Sequence, residues 1–535
     1  MQQNDDEKQA MSGPVYQPAE TASGSFERRN ATEGEILSYR HIPDQVHTAV
    51  WIAVLVGALE RFAFFCITAP WQNYLQNQRE DHANPGVLGL GQATATNIYN
   101  GYYLWAAVAS TPIGILSDAK LGRFRTLIIS LVIYIFGSFV MLFTSLPPAL
   151  DHDAGLPGIA ISMVLIGIGV AGIKATVNAF IGDQYDNTNL QVIMTAKGET
   201  VVVDPALTMQ YIYNIFYWTT NIAALSVIPT TFLERYVGFW AAYTMGPIAL
   251  CIAVGFLFFY HNSFVKAPAA GNVLPEAAKA LTYAVKNKFN LEAADPVYQL
   301  EHFNRHVSWS SNFIEELRSG IMACQVLTVF GVFYLCFNQL SNNLISQAGQ
   351  MELHGIPNDL IRTFNGIACV ICGPIIQKGL YPLLEKYHIP FKPVARITAA
   401  FLVMSIAMAY AAVIQKLIYS SGPCYEYPLE CDASNNGTIH NRVNVLIQIP
   451  LYFILAVAEI LGFVSALEYS YSKAPKEMKA IVQAFTQLMS GLGAALGIAL
   501  TPAAVNPQLI WLYTALATVM AATALCCWWC FRKYD

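Results

Sequence analysis

The chain is short of charge. Of its 535 residues only 12% are Asp, Glu, Lys or Arg, about half the share of an average soluble domain, and this excludes an ordinary soluble enzyme. The formal balance is −5 and no Lys/Arg-rich run occurs, so the electrostatic footprint of a nucleic-acid binder is missing too. Nucleophile-elbow, HExxH and GxxxxGK[ST] strings are absent, which leaves no recognisable enzymatic handle. Most of the eleven cysteines lie in apolar stretches without metal-ligand spacing, where small apolar packing is their ordinary role. The first 45 residues are polar and lack the apolar core of a signal peptide, which leaves the first span to direct insertion.

What is abundant is apolar surface. Hydrophobic residues make up 55% of the chain, and a bilayer-crossing helix needs about 20 of them in succession. Runs of that length occur near 47–69, 95–117, 125–146, 157–181, 207–230, 237–261, 319–340, 358–384, 394–416, 444–471, 480–503 and 508–531. The expectation is an all-α membrane protein of twelve spanning helices in a lipid bilayer. Lys120, Arg123 and Arg125, then Lys386 and Lys392, then Lys473, Lys476 and Lys479 fall in loops on one side, and the positive-inside rule makes that side cytoplasmic. Both termini are then cytoplasmic. The opposite side receives Asn436-Gly437-Thr438, a glycosylation sequon, in a loop flanked by Cys424 and Cys431. A disulfide and free thiols are both open there. This loop implies the secretory route and the plasma membrane, with a vacuolar membrane as the alternative.

Polar residues 263–318 divide the spans into six and six. The expected organisation is a tail at 1–45, a six-helix bundle at 46–262, a cytoplasmic linker at 263–318 and a second bundle at 319–535. Two pseudo-symmetric halves place a substrate site between them near the midplane. Within the spans lie Glu60, Arg61, Lys174, Glu459 and Glu468. An ionisable group there costs about 2.5–3.5 kcal/mol on insertion scales and marks a partner or a polar path. Three acids against two cations leave one carboxylate unmatched, a group able to take up a proton. The plainer alternatives are helix locking and, for Glu468, a wet cytoplasmic mouth.

Specific strings then carry a resemblance. Gly114-x-Leu116-x-Asp118-xxx-Gly122-Arg123-x-Arg125 resembles the major facilitator superfamily signature, whose arginines latch the inner gate. Gly57-Ala-Leu-Glu60-Arg61-Phe62, Gly169-Val-Ala-Gly172-Ile173-Lys174, Phe216-Tyr217-xxx-Asn221 and Ser465-Ala-Leu467-Glu468-Tyr469-x-Tyr471-xx-Ala474-Pro475 resemble motifs of the proton-coupled oligopeptide transporter family, fungal type. The resemblance implies a monomeric symporter of the major facilitator fold, importing di- and tripeptides by alternating access. It implies no organic cofactor and no metal, protons being the coupling ion. By the same resemblance Arg61 and Lys174 bind the peptide carboxylate, Glu468 faces its amino group and pairs with the lysine, and Asn221 and Asn365 hydrogen-bond its backbone. Glu60, Glu468 and Lys174 are the implied proton-coupling groups, and Tyr102, Tyr103 and Gln339 belong to the cavity wall. Three departures remove polar groups: Gly57 replaces the first acid of the first-helix motif, Phe64-Phe65 a tyrosine pair, and Asn338 an acid. They favour a second reading, a same-fold carrier of another small solute such as nitrate or a peptide-derived metabolite, in either direction. A non-transporting membrane sensor is the third.

Overall fold

The computed structural model describes residues 29–532, apart from 80–83, 186, 188, 196–198, 267, 269–273, 289, 389–390, 436–437, 467 and 470–478. The sequon residues Asn436 and Gly437, the loop residues Lys473 and Lys476, and the motif residues Leu467, Tyr471, Ala474 and Pro475 lie outside the described residues. Each of the twelve apolar runs is helical: α1 Thr48–Thr68, α2 Gly91–Leu116, α3 Arg123–Thr144, α4 Gly155–Asp183, α5 Pro205–Ala224, α6 Phe239–Phe259, α7 Phe330–Ala348, α8 Thr363–Ile375, α9 Pro393–Ser420, α10 Ile449–Glu459, α11 Lys479–Ala499 and α12 Leu509–Phe531. Ten of the corresponding helical segments are long and apolar enough to cross a membrane by composition alone. α2 and α5 fall short because they carry polar runs such as Thr94-Ala-Thr-Asn-Ile-Tyr-Asn100.

The ends of the helices are set by ordinary local chemistry. Asp204 caps α5 by accepting from Ala206 N–H at 2.8 Å, with Pro205 at the first helical position, where its missing N–H costs nothing. Pro393 opens α9 in the same way. Close helix contact depends on glycine: α3 leaves no room for a Cβ at Gly172 beside Ser130. Such a small-residue face lets the backbones of α3 and α4 approach, as membrane helices require. Large apolar side chains including Phe136, Phe143, Ile248, Trp511 and Leu525 point outward, toward the hydrocarbon that replaces water as their solvent.

The buried apolar residues form two main clusters, one drawn from residues 50–264 and one from 324–527. A smaller cluster around Ala277, Ala280, Trp309, Phe313 and Leu317 packs the helices of the intervening segment. One of these helices is Leu274–Lys286. The helix leading into α7 begins at Ser311, before the end of the range read as linker. Cys424 and Cys431 are joined by a disulfide.

A small sheet was not expected. Strands β1 Arg29–Asn30, β2 His41–Ile42, β3 Gln191–Met194 and β4 Thr200–Val203 align in the order β1-β3-β4-β2, with β1/β3 and β3/β4 antiparallel and β2/β4 parallel. It ties the tail to the loop between α4 and α5. Val201 and Val203 bury against Ile42 and Ile193, an alternation too short to stand out beside twenty-residue apolar runs.

Candidate functional site

The two halves are clamped at their outer ends. Asn73 and Asn358 exchange amide hydrogen bonds at 2.9 and 2.8 Å, Thr96 donates to Asn343 at 3.0 Å, and Asn84 donates to the Gly349 carbonyl at 3.1 Å. Gln72 and Gln76 both engage Ser346. Deepest in this seal, Arg362 donates to the Tyr99 hydroxyl at 3.2 Å. These contacts hold the halves together at one end of the bundles.

Beneath the seal lies a cavity of about 340 Å³ lined from both halves, with Tyr103 and Lys174 on one side and Phe337, Asn338, Phe463 and Ser490 on the other. Of the ionisable groups expected within the spans, Lys174 is the one that lines it. Arg61 holds Glu60 in a bidentate pair, Nε to Oε2 at 2.6 Å and Nη2 to Oε1 at 2.8 Å, and the guanidinium lies 4.9 Å from the centroid of the Phe64 ring. Lys174 has no carboxylate within 4 Å among the described residues. Glu459 on α10 is a half-buried acid of the second half, and Asn365 on α8 donates to it at 2.8 Å.

Glu468 is a correction. It is exposed and pairs with Arg396 at 2.7 Å, not with Lys174, because α10 ends in a wide turn at Ile460–Val464 that carries position 468 toward the cytoplasmic surface. The wet-mouth alternative was the right one for this residue. Tyr102 packs edge-on against Trp71 at 4.8 Å and does not line the cavity, whereas Tyr103 does. Gln339 accepts from Asn343 at 2.7 Å within α7, and it is the neighbouring Asn338 that reaches the cavity. Asn221 donates to the Tyr217 carbonyl one turn back at 2.8 Å.

Arg362 was missed, although it lies inside the apolar run 358–384, and a cation in such a run is the signal that could have found it. With Arg362 counted and Glu468 removed, the central charges are Glu60 and Glu459 against Arg61, Lys174 and Arg362. The acid surplus expected of the spans is thereby removed, while two further buried acids, Glu234 and Asp359, stand near Arg362 in the seal.

The gating motif folds as a cytoplasmic turn. Gly122 stands at φ 76°, a conformation that a side chain resists. Arg123 reaches Asp183 at 2.6 Å and Asp118 at 3.8 Å, joining the ends of α2, α3 and α4 within one half. Half-burial pushes the Asp118 carboxyl above its ordinary range, with Arg123 opposing. Gly114 sits in ordinary contact with Ala175, and Arg125 is exposed and takes no part in this cluster. The latch expected of these arginines is therefore internal to the first half in this state.

Comparison with known proteins adds a family. Residues 124–519 match the POT family. This chain belongs to that family. A peptide transporter of Candidozyma auris, PTR_A, is 37% identical over 91% of this chain and 82% of its own. The peptide transporter imqD of Aspergillus flavus is 52% identical across 52% of this chain and 68% of its own. A crystal structure of the POT family transporter PepTSo superposes with a TM-score of 0.71 at 17% identity, covering 91% of this chain and 98% of that one, which establishes the twelve-helix, two-bundle major facilitator fold. The POT chain is thus a multi-pass membrane transporter rather than an enzyme.

Proposed function

We propose that this protein imports di- and tripeptides by alternating access, coupled to protons, and that the structure represents its inward-facing state. The supporting observation is the placing of opposite charges in the two halves: Lys174 on the cavity wall of the first half, with no carboxylate within 4 Å among the described residues, and Glu459 in the second half beside Asn365. A short peptide is a zwitterion. Its carboxylate suits the lysine side and its ammonium the Glu459 side, while recognition of the two termini leaves the residues between them free to vary.

In the proposed cycle a proton on Glu60 weakens its hold on Arg61 and frees the guanidinium for the substrate carboxylate. Deprotonation toward the cytoplasm restores the pair. Glu459 takes the place given earlier to Glu468. One proton crossing 100 mV supplies about 2.3 kcal/mol and one pH unit about 1.4, together enough for a gradient of roughly 500-fold for a neutral zwitterion. The protein acts as a monomer in the plasma membrane with both termini cytoplasmic, and needs no other cofactor.

Reconstituted protein tests this reading. Labelled dialanine should accumulate in liposomes when the outside is acid and the inside negative, and Glu60→Gln should abolish the response to the pH gradient. Uptake indifferent to both would overturn proton coupling. Asn338 and Phe64 favour the second reading, another small solute, and failure of every dipeptide to compete for binding would favour it over the first.

A further inference from the structure

Above the cavity, within the outer seal, stand two acids that the cycle above does not use. Glu234 lies on the short helix Val227–Tyr236 that follows α5, and Asp359 on the turn leading into α8. They belong to opposite halves, are 2% and 0% exposed, and lie within hydrogen-bonding range of each other. Oε1 of Glu234 accepts from Asn73 at 2.9 Å. Its Oε2 and both carboxyl oxygens of Asp359 are buried without a partner.

The surroundings offset the two charges only in part: the backbone N–H groups of Asp359 and Leu360 face the Asp359 carboxylate, and Arg235 attracts both acids. Arg235 is the nearest cation, yet it has no carboxylate within 4 Å among the described residues and its Nη1 is buried without a partner. From the Trp71–Gln76 helix come Asn73, already engaged with Asn358, and Tyr74. Tyr243 comes from α6. Both tyrosine hydroxyls are buried without a partner. Arg362, one turn past Asp359, is turned to Tyr99. Two ionised carboxylates facing each other in such a site repel, whereas one proton between them turns the same contact into a strong hydrogen bond.

We propose that Glu234 and Asp359 form a proton site that latches the outer gate: the closed form holds one shared proton, taken from the outside, and parting of the halves hydrates both groups and returns it there. This rests on the alternating-access reading but not on the identity of the solute. The Arg362–Tyr99 contact lies between this site and the cavity, so the proton leaves by the side it entered. The pair sets how outer pH biases the gate, and adds nothing to the number of protons carried across.

Linkage gives the size of the effect, since one proton bound preferentially by the closed form changes the closed-to-open ratio by up to tenfold per pH unit. The test uses the full chain in liposomes without substrate. Distances are measured by electron–electron double resonance between labels introduced as non-natural amino acids at Asp153 and Glu430, both exposed on outer loops of opposite halves. In the wild type the outer-closed fraction should fall as outer pH rises from 5 to 9. Glu234→Gln, whose amide can donate to Asp359 without titrating, should stay closed throughout, and Asp359→Asn should do the same if the first variant does not fold. A wild-type population that ignores outer pH, or variants that titrate as the wild type does, overturns the proposal. Because transport is not read, a failure of peptide uptake would count against the substrate reading alone.

Discussion

Replacing Lys174 by glutamine tests the charge split most directly. The substitution shortens the side chain by one bond and removes the charge while keeping a hydrogen-bond donor. A hydrogen bond to a charged partner contributes about 1.5–3 kcal/mol, and at about 1.4 kcal/mol per decade the loss corresponds to roughly 10- to 150-fold weaker binding of a free peptide carboxylate. Calorimetric titration of the purified protein with dialanine and with dialanine amide separates this role from a general one. Lys174→Gln should weaken dialanine by that factor and change the amide by less than about threefold. The melting temperature should hold or rise, because no ion pair to Lys174 is lost and a costly buried charge is removed. Equal loss for both peptides, or unchanged dialanine affinity, would refute the assignment.

The remaining predictions address the other end of the substrate and the departures from the family motif. Glu459→Gln should weaken dialanine at least tenfold and leave N-acetyl-dialanine, which lacks the ammonium, nearly unaffected in a competition assay. Glu468→Gln removes only an exposed pair worth roughly 0.2–1 kcal/mol, so peptide affinity should stay within about threefold of wild type. Gly57→Glu restores the family's acid, but a Cβ there meets the Phe216 ring at 2.6 Å, and overpacking of this kind costs about 1–3 kcal/mol; the melting temperature should fall, and Phe216→Ala in the same chain should recover part of it. In the tail, Arg29 and then Thr32 hold the Glu35 carboxyl down to about 2, from an ordinary 4.5. That contribution is complete above the ordinary value and is lost as pH falls toward 2, so hydrogen-exchange protection of residues 29–38 should be constant from pH 7 to 6 and lower in Glu35→Gln at both.

Much of the fold was legible because the bilayer imposes a one-dimensional rule. Twenty apolar residues in a row must be helical there, since every backbone N–H and C=O has to be satisfied within the segment. Ten of the twelve helices meet that constraint by length and composition, and the more polar α2 and α5 do not. The tail sheet was not legible because β1 and β2 have two residues each and pair with strands about 160 positions away. Within the site, Glu60, Arg61 and Lys174 were found for the same reason as the spans: charges stand out where they are expensive. Asn365 was also found, though its partner proved to be Glu459.

Position along a helix determined which groups lie at membrane depth, but not what they face. Glu459 and Glu468 are nine residues apart on one apolar run, and the fold places the first beside Asn365 while the second reaches water and Arg396. Arg362 turns to Tyr99, 263 positions earlier, and Glu234 meets Asp359 across the junction of the halves. Sequence by itself determined the solvent, the helix count and the family. The tertiary structure decided the sign of the charge in the cavity and which half closes on which, because electrostatic pairing depends on distances of a few ångströms that chain order does not set.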